Sequence, residues 1–200
     1  RVRKSLVGNF DKVLRQSDSV LPHVRSDHDI YGRDGDPGIE QLTITKVNKI
    51  MPSVYGKLTA GYLEKMFAGV SGEILWKPIS SSLGIGIELS QVQQRNFDML
   101  WGLQDYQVTT GHLSAYYYFK NGFMTQLDAG QYLAGDRGYT LRVGRKFGNG
   151  WNMGAYATVT NVPFAKFEEG SYDKGIFAEI PLDWSIGSPY RTTSKIEFNV

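Results

Sequence analysis

The sequence predicts an all-β protein built as an antiparallel meander, and three observations lead there. Hydrophobic side chains recur with a strict period of two. Leu83, Ile85, Ile87 and Leu89 fall on one face, Gly84, Gly86, Glu88 and Ser90 on the other, as alternate residues of a strand must. Many alternating runs are ~9–11 residues long, the length of a lipid-spanning strand, where soluble strands average ~5–6. Asn-Gly hairpin turns join neighbouring runs at Lys120-Asn121-Gly122 and Gly148-Asn149-Gly150, because the favoured two-residue turn needs φ > 0 at its centre.

Residues 1–40 read as an irregular linker segment. They carry Pro22, Pro37 and a Gly-Asp cluster (Gly32, Gly35, Asp36, Gly38), with at most a short helix around Asp11–Arg15. Residues 41–200 read as a series of strands. The first is Gln41–Ile50, marked by Leu42, Ile44 and Val47, followed by Tyr55–Phe67 and by Val70–Lys77, which Pro78 ends. Leu83–Gln93 comes next, then the long run Trp101–Phe119. Phe123–Leu133 sets Phe123, Leu127, Ala129 and Leu133 against Met124, Gln126, Asp128, Gly130 and Tyr132. Tyr139–Phe147 sets Tyr139, Leu141 and Val143 against Thr140, Arg142 and Gly144. Trp151–Asn161 alternates likewise. A polar loop, Lys166–Lys174, precedes Gly175–Leu182, and Arg191–Val200 closes the series. This makes about nine strands, and consecutive hairpins make a meander.

Two faces require two environments. Aromatics mark strand ends at Trp76, Trp101, Phe119, Phe123, Tyr139, Phe147, Trp151 and Trp184, as in the girdles of a transmembrane barrel. The second face carries glycine, threonine, tyrosine and isolated charges, as a watery or crowded lumen would. A soluble antiparallel sheet also alternates apolar-in and polar-out, so the pattern leaves lipid and protein core equally open. The negative mean hydropathy does not separate them, since only alternate residues would face lipid.

Composition narrows the chemistry. With 22 Lys and Arg against 20 Asp and Glu the formal charge is +2, which points away from nucleic acid. Cysteine is absent, so disulfides and thiolate sites are excluded. No apolar run is long enough for a transmembrane helix, and the opening residues lack a signal-peptide pattern. Arg1 opens the chain without methionine and Val200 ends inside an alternating run; the chain is expected to be a fragment.

The catalytic candidates are weak. Glu64, Glu73 and Glu88, and then Glu168, Glu169 and Asp173, supply carboxylates, but a glycosidase needs two that converge, and spacing shows no such pair. His23 and His28 lie near Asp27 and Asp29, without the further ligands of a metal site. His112 shares a face with Thr110, Ser114 and Tyr116 and is expected to be a hydrogen-bonded lumen residue. Gly84-Ile85-Gly86 lies inside a strand with no helix after it and is no dinucleotide fingerprint; it reads as a place of curvature or close packing. Neither a phosphate loop nor a nucleophile elbow occurs, and no cofactor is expected.

A set of spaced motifs runs along the chain in a fixed order. It begins with Gly61-Tyr62-Leu63-Glu64-Lys65-Met66-Phe67-Ala68-Gly69-Val70-Ser71-Gly72-Glu73-Ile74-Leu75-Trp76-Lys77-Pro78, and includes Gln94-Arg95-Asn96-Phe97, Asp105-Tyr106 and Thr110-Gly111-His112. It continues with Tyr132-Leu133-Ala134-Gly135-Asp136-Arg137-Gly138, Arg145-Lys146-Phe147-Gly148-Asn149-Gly150, Glu168–Gly175 and Ile180-Pro181-Leu182-Asp183. Pro22, Arg25-Ser26-Asp27 and Tyr31 fit as well. Together, over about residues 22 to 185, these motifs resemble the YjbH/GfcD family of Gram-negative outer-membrane proteins. Ser71 and Tyr172 depart from the expected glycine and phenylalanine, and Glu169 matches loosely.

The resemblance implies part of a transmembrane outer-membrane β-barrel for export or assembly of exopolysaccharide or capsule, without catalysis. The implied partners are outer-membrane lipid, the polysaccharide, and small lipoprotein and periplasmic proteins of the same operon. Candidates for lining the glycan path are Glu64, Glu73, Arg95, His112, Tyr116, Asp136, Arg142, Glu168, Asp173 and Lys174. The rival expectation is a soluble periplasmic carbohydrate-binding β-domain.

Overall fold

The computed structural model describes residues 1–4, 24, 27–162, 172–181 and 193–199. Its main body is one antiparallel sheet of ten strands in strict chain order. The strands are β3 (Leu42–Met51), β4 (Val54–Tyr62), β5 (Phe67–Trp76), β6 (Leu83–Arg95), β7 (Leu103–Tyr118), β8 (Phe123–Gln131), β9 (Arg137–Lys146), β10 (Asn152–Thr160), β11 (Tyr172–Pro181) and β12 (Thr193–Asn199). A two-residue pair, β1 (Val2–Arg3) with β2 (Gly38–Ile39), and one short helix, α1 (His28–Asp34), complete the described elements. The all-β meander is therefore as expected, with ten strands. The sheet is open: β3 and β12 are its two edges, and they are not paired with each other.

Several boundaries differ from the sequence reading. Tyr55–Phe67 is not one strand, because the N–H groups of Leu63 and Glu64 both donate to the Phe67 carbonyl and fold a turn there. Trp101 lies outside β7, in a loop closed by Asn96 N–H to Gly102 O at 3.0 Å. Tyr172–Lys174 belongs to β11, where a loop was expected. A helix forms at His28–Asp34 inside the segment read as irregular; the one expected at Asp11–Arg15 lies outside the described residues.

The register sorts the side chains cleanly. Leu83, Ile85, Ile87 and Leu89 are exposed, while Gly84, Gly86, Glu88 and Ser90 are buried or half-buried. Pairing carries this across the sheet. Ile74, Ile87 and Leu113 stand side by side in one row, and Ile85, Ala115, Leu127 and Leu141 in the next. The apolar face is bare: Ile44 is 83% exposed and Leu89 60%.

The only buried apolar cluster among the described residues sits at one end of the sheet. Tyr31, Met66, Phe67, Val92, Met99 and Val108 form it, with Phe97, Tyr106 and Leu133 packed alongside. Phe67, Val92 and Val108 come from the polar face, where β5, β6 and β7 run beyond their polar rows. Tyr31 of α1 enters edge-on to Phe97, with ring centroids 5.0 Å apart. Its hydroxyl donates to the Arg95 carbonyl. Gln104 Nε2 donates to Tyr31 Oη at 3.3 Å and to the same carbonyl at 2.8 Å.

Arg95 locks this end. Its side chain has 0% exposure. Nη1 donates to the carbonyls of Glu64 (3.0 Å) and Lys65 (3.2 Å), and Nη2 to those of Met99 (2.8 Å) and Leu100 (3.2 Å). The guanidinium also lies 4.1 Å from the Tyr62 ring centroid. A β-bulge between Gln93 and Arg95 turns the side chain into this position. One cation thus ties the β4–β5 turn to the β6–β7 loop, and charged donors make such bonds stronger than neutral ones.

Arg95→Met keeps the length but removes every donor, taking a charged partner from four carbonyls, of which Met99 O keeps the Ile39 N–H. It should cost about 3 kcal/mol or more, read as a lower midpoint in chemical denaturation. Tyr31 responds to pH. Burial, reinforced by Asp27, pushes its phenol above the ordinary 10.0, only partly offset by donors from Gln94 and Gln104 and by Arg95. A folded-state pKa raised above the unfolded value means that docking of α1 is complete below pH 10.0 and is lost as pH climbs through the raised value. The tyrosinate absorbance difference between wild type and Tyr31→Phe should therefore appear only above pH 10.0.

Candidate functional site: the polar face of the sheet

Polar side chains form continuous rows across the strands because the pairing puts them opposite one another. In one row Lys57 faces Glu73, Glu73 faces Glu88, and Glu88 faces His112. Lys57 Nζ lies 2.6 Å from Glu73 Oε1. Ser90 Oγ lies 3.0 Å from Glu88 Oε1 and 2.9 Å from Ser71 Oγ. Its single proton serves the carboxylate, and the proton of Ser71 then serves Ser90. The two carboxylates that spacing alone did not join, Glu73 and Glu88, are direct cross-strand neighbours.

His112 sits on glycine. A Cβ on Gly130 would fall 2.8 Å from His112 Cδ2 and 1.9 Å from the Gly111 carbonyl oxygen, so only glycine lets the imidazole lie against the next strand. The ring meets Tyr132 edge-on, centroids 4.7 Å apart, and its Nε2 is buried with no hydrogen-bond partner among the described residues. Tyr132 Oη lies 2.6 Å from Thr140 Oγ1, which lies 2.8 Å from Thr158 Oγ1. Tyr132 is beyond the end of β8, and its phenol is pushed up by burial. Further along, Arg142 stands 5.5 Å from the Tyr156 ring and 5.0 Å from that of Phe177. Phe177 lies over Gly154 and Gly144.

A shallow cleft of about 170 Å³ opens between β5, β6 and β7. Glu73, Glu88, Ser114, Tyr116 and Tyr118 line it, with Gly84 and Gly86 among its backbone.

Of the residues singled out by sequence, Glu73, His112, Tyr116 and Arg142 share this face, and Asp173 joins it opposite Thr158. Asp136 is in the β8–β9 turn and Glu64 in the β4–β5 turn, both at the α1 end. Arg95 is enclosed, its Nη1 and Nη2 donating to loop carbonyls and its Nε buried with no hydrogen-bond partner among the described residues. Lys174 faces the apolar side, its Nζ 5.9 Å from the Tyr172 ring. Glu168 and His23 lie outside the described residues; His28 is exposed on α1. Among the described residues no group of three or more His, Asp or Glu is placed to hold a metal ion. Sequence reasoning missed Lys57 and Ser71, whose only signal was their phase in an alternating run.

The polar face therefore offers acceptors, hydroxyls and aromatic rings along its length, a chemistry suited to hydroxyl-rich ligands. No solved structure matches the chain. The Escherichia coli (strain K12) protein described as "Uncharacterized lipoprotein YjbH" is 35% identical over 201 aligned residues, covering 96% of this chain and 28% of that protein. The chain thus spans little more than a quarter of this relative's length. A family model described as "YjbH: Exopolysaccharide biosynthesis protein YbjH" matches residues 1–200, and the chain belongs to that family.

Proposed function

We propose that this chain is a section of the wall of an outer-membrane β-barrel that holds or passes exopolysaccharide. Its apolar face would meet lipid and its polar face would line the polymer's path. The observation that carries this reading is the bare apolar face. In water, a contiguous patch of this kind would drive association; against acyl chains it needs no cover.

Two further features support it. On β6 the apolar residues Leu83 to Leu89 span six residue steps, ~20 Å along the strand, close to the ~25 Å band of outer-membrane barrels. The band then stops at a polar row. Thr109 Oγ1 bonds Gln91 Oε1, Gln131 Nε2 donates to the Thr109 carbonyl at 3.0 Å, and Arg137 Nε lies 3.2 Å from Gln131 Oε1. Arg137 N–H closes on Asn161 Oδ1 at 2.8 Å. Aromatics flank the band. Trp76, Phe119, Phe123 and Phe147 stand at one end, with the Arg145 guanidinium 5.2 Å from the Phe123 and Phe147 rings. Tyr62 and Trp101 stand at the other, centroids 6.0 Å apart.

In this reading the role is non-catalytic: the polar rows hold hydroxyls by hydrogen bonds and leave glycosidic bonds intact. Small lipoprotein and periplasmic proteins encoded alongside would be its partners, and a lipid anchor on the longer protein would add membrane attachment.

A lysine at Ile87, in the middle of the band, should cost ~2–4 kcal/mol of insertion free energy into liposomes, and one at Gln91, in the polar row, ~0–1 kcal/mol. Equal and small effects, with a folded monomer in plain buffer, would instead establish a soluble carbohydrate-binding domain. In cells carrying the full-length protein, neutralising Glu73 and Arg142 together should lower surface polysaccharide by roughly tenfold while the barrel still reaches the membrane, a loss comparable to removing strong charge-assisted contacts.

A further inference from the structure

We propose that Arg145, at the hairpin end of the apolar face, binds the phosphate of an anionic membrane lipid whose acyl chains lie on the band beside it. The inference rests on the wall reading and deepens it, naming the headgroup chemistry that the lipid side takes and the end of the sheet that takes it.

Register places Arg145 at the edge of the band. On β9 it follows Tyr139, Leu141 and Val143 in the same phase, and its cross-strand partners are Phe123 and Met153. Leu83, Tyr117, Thr125 and Val143 form the last row of the band at this end. Arg145 stands one row farther out, ~7 Å along the strand. Its guanidinium lies 5.2 Å from the rings of both Phe123 and Phe147, contacts that steady a cation without consuming its N–H donors. The side chain is exposed, and among the described residues it makes no ion pair and donates no hydrogen bond. Its planar fork is therefore available, and that fork matches a phosphate bidentately.

Charge around the site has one sign. The hairpins at this end, residues 49–55, 75–84, 117–124 and 144–152, carry Lys49, Lys77, Lys120, Arg145 and Lys146 and no Asp or Glu. Lys77 serves the carbonyls of Pro78 and Ser81 on the polar side. Lys120 lies in the turn next to Arg145, joined to β9 where the Lys146 N–H donates to the Gly122 carbonyl at 2.9 Å. The opposite end reverses the sign. Its turns at residues 61–68, 94–106 and 131–138 carry four carboxylates against three Lys and Arg, and residues 27–40 add five carboxylates against Arg33. An anionic headgroup is thus drawn to one end of the sheet and repelled from the other. The apolar column leading to Arg145 gives the same lipid a place for its chains.

The test uses the full chain in dodecyl maltoside micelles and reads bound lipid by native mass spectrometry. The probes are dioleoyl phosphatidate, dioleoyl phosphatidylcholine and inorganic phosphate. Phosphatidate should bind about tenfold or more tightly than phosphatidylcholine, whose choline offsets its phosphate, and about tenfold or more tightly than phosphate alone, which brings no chains. Arg145→Gln should remove most of the preference for phosphatidate and leave phosphatidylcholine binding as it was, a change that unfolding would not produce. Arg145→Lys, which keeps the charge and loses the fork, should fall between the two. Lys49→Gln, at the same end but on the edge strand β3, should change phosphatidate binding by less than about twofold. Equal binding of the two lipids would overturn the site and leave the wall reading intact. Equal losses from Arg145→Gln and Lys49→Gln would also overturn it, in favour of diffuse attraction to the whole rim. Phosphate binding as tightly as phosphatidate would replace the lipid with a free anion. A chain that stays folded and monomeric in plain buffer and binds no lipid would remove the wall reading and the site together.

Discussion

Cross-strand register is the constraint on which the rest depends. Because the side-chain period is two, a slip of one residue in any hairpin would move an entire strand's apolar set to the opposite face. Ten strands pair in order, and most Leu and Ile of β3 to β10 lie on one side, while Lys57, Glu73, Glu88 and His112 line up on the other with Val47, Leu75, Val92 and Val108 among them. Each fully buried Leu or Ile is worth roughly 1.5–3 kcal/mol, so covering the bare face would stabilise the sheet more than its small internal core does. The small core at the α1 end contributes position more than bulk: Arg95 and Tyr31 hold two loops and a helix against the ends of β5, β6 and β7.

The polar face follows a different logic. Its groups satisfy one another in short chains, such as Ser71–Ser90–Glu88 and Tyr132–Thr140–Thr158. Glycines let rings lie flat on neighbouring strands, as Phe177 does over Gly154. What remains unpaired, such as His112 Nε2, is sparse, so the surface is pre-organised and offers acceptors without large rearrangement.

Much of this was legible in the sequence, and for a physical reason. Alternation in β6, β8, β9 and β10 assigns faces directly, and the two Asn-Gly turns set the hairpins around β8 and β10. His112, Tyr116 and Arg142 fall on the polar side by phase alone, and Glu73 enters as a lining candidate with the family resemblance. The rest depended on tertiary contact. Arg95 looked like a lumen charge, but a bulge turned it into a cluster of backbone carbonyls that no sequence pattern marks. The α1 helix is only seven residues long and contains Gly32, so propensity could not reveal it. The Glu73–Glu88 pair required register between two strands, which is invisible to spacing along one chain. Lys174 fell on the apolar side because β11 begins earlier than its charge-rich opening suggested.

The strict chain order of the strands also has a kinetic meaning. Every described pairing in the ten-stranded sheet joins sequence neighbours, so each hairpin closes a short loop and can add to the one before it. Local pairings of this kind keep loop-closure entropy small and favour fast assembly for a β-protein. The α1 end is different: the Tyr31 clasp bridges 64 residues to Arg95 and 73 to Gln104, and Ile39 N–H reaches Met99 O beside it. Both partners must already be held by β6 and β7 before that bridge can form. The sheet can therefore zip strand by strand, with α1 fastening onto its end only afterwards.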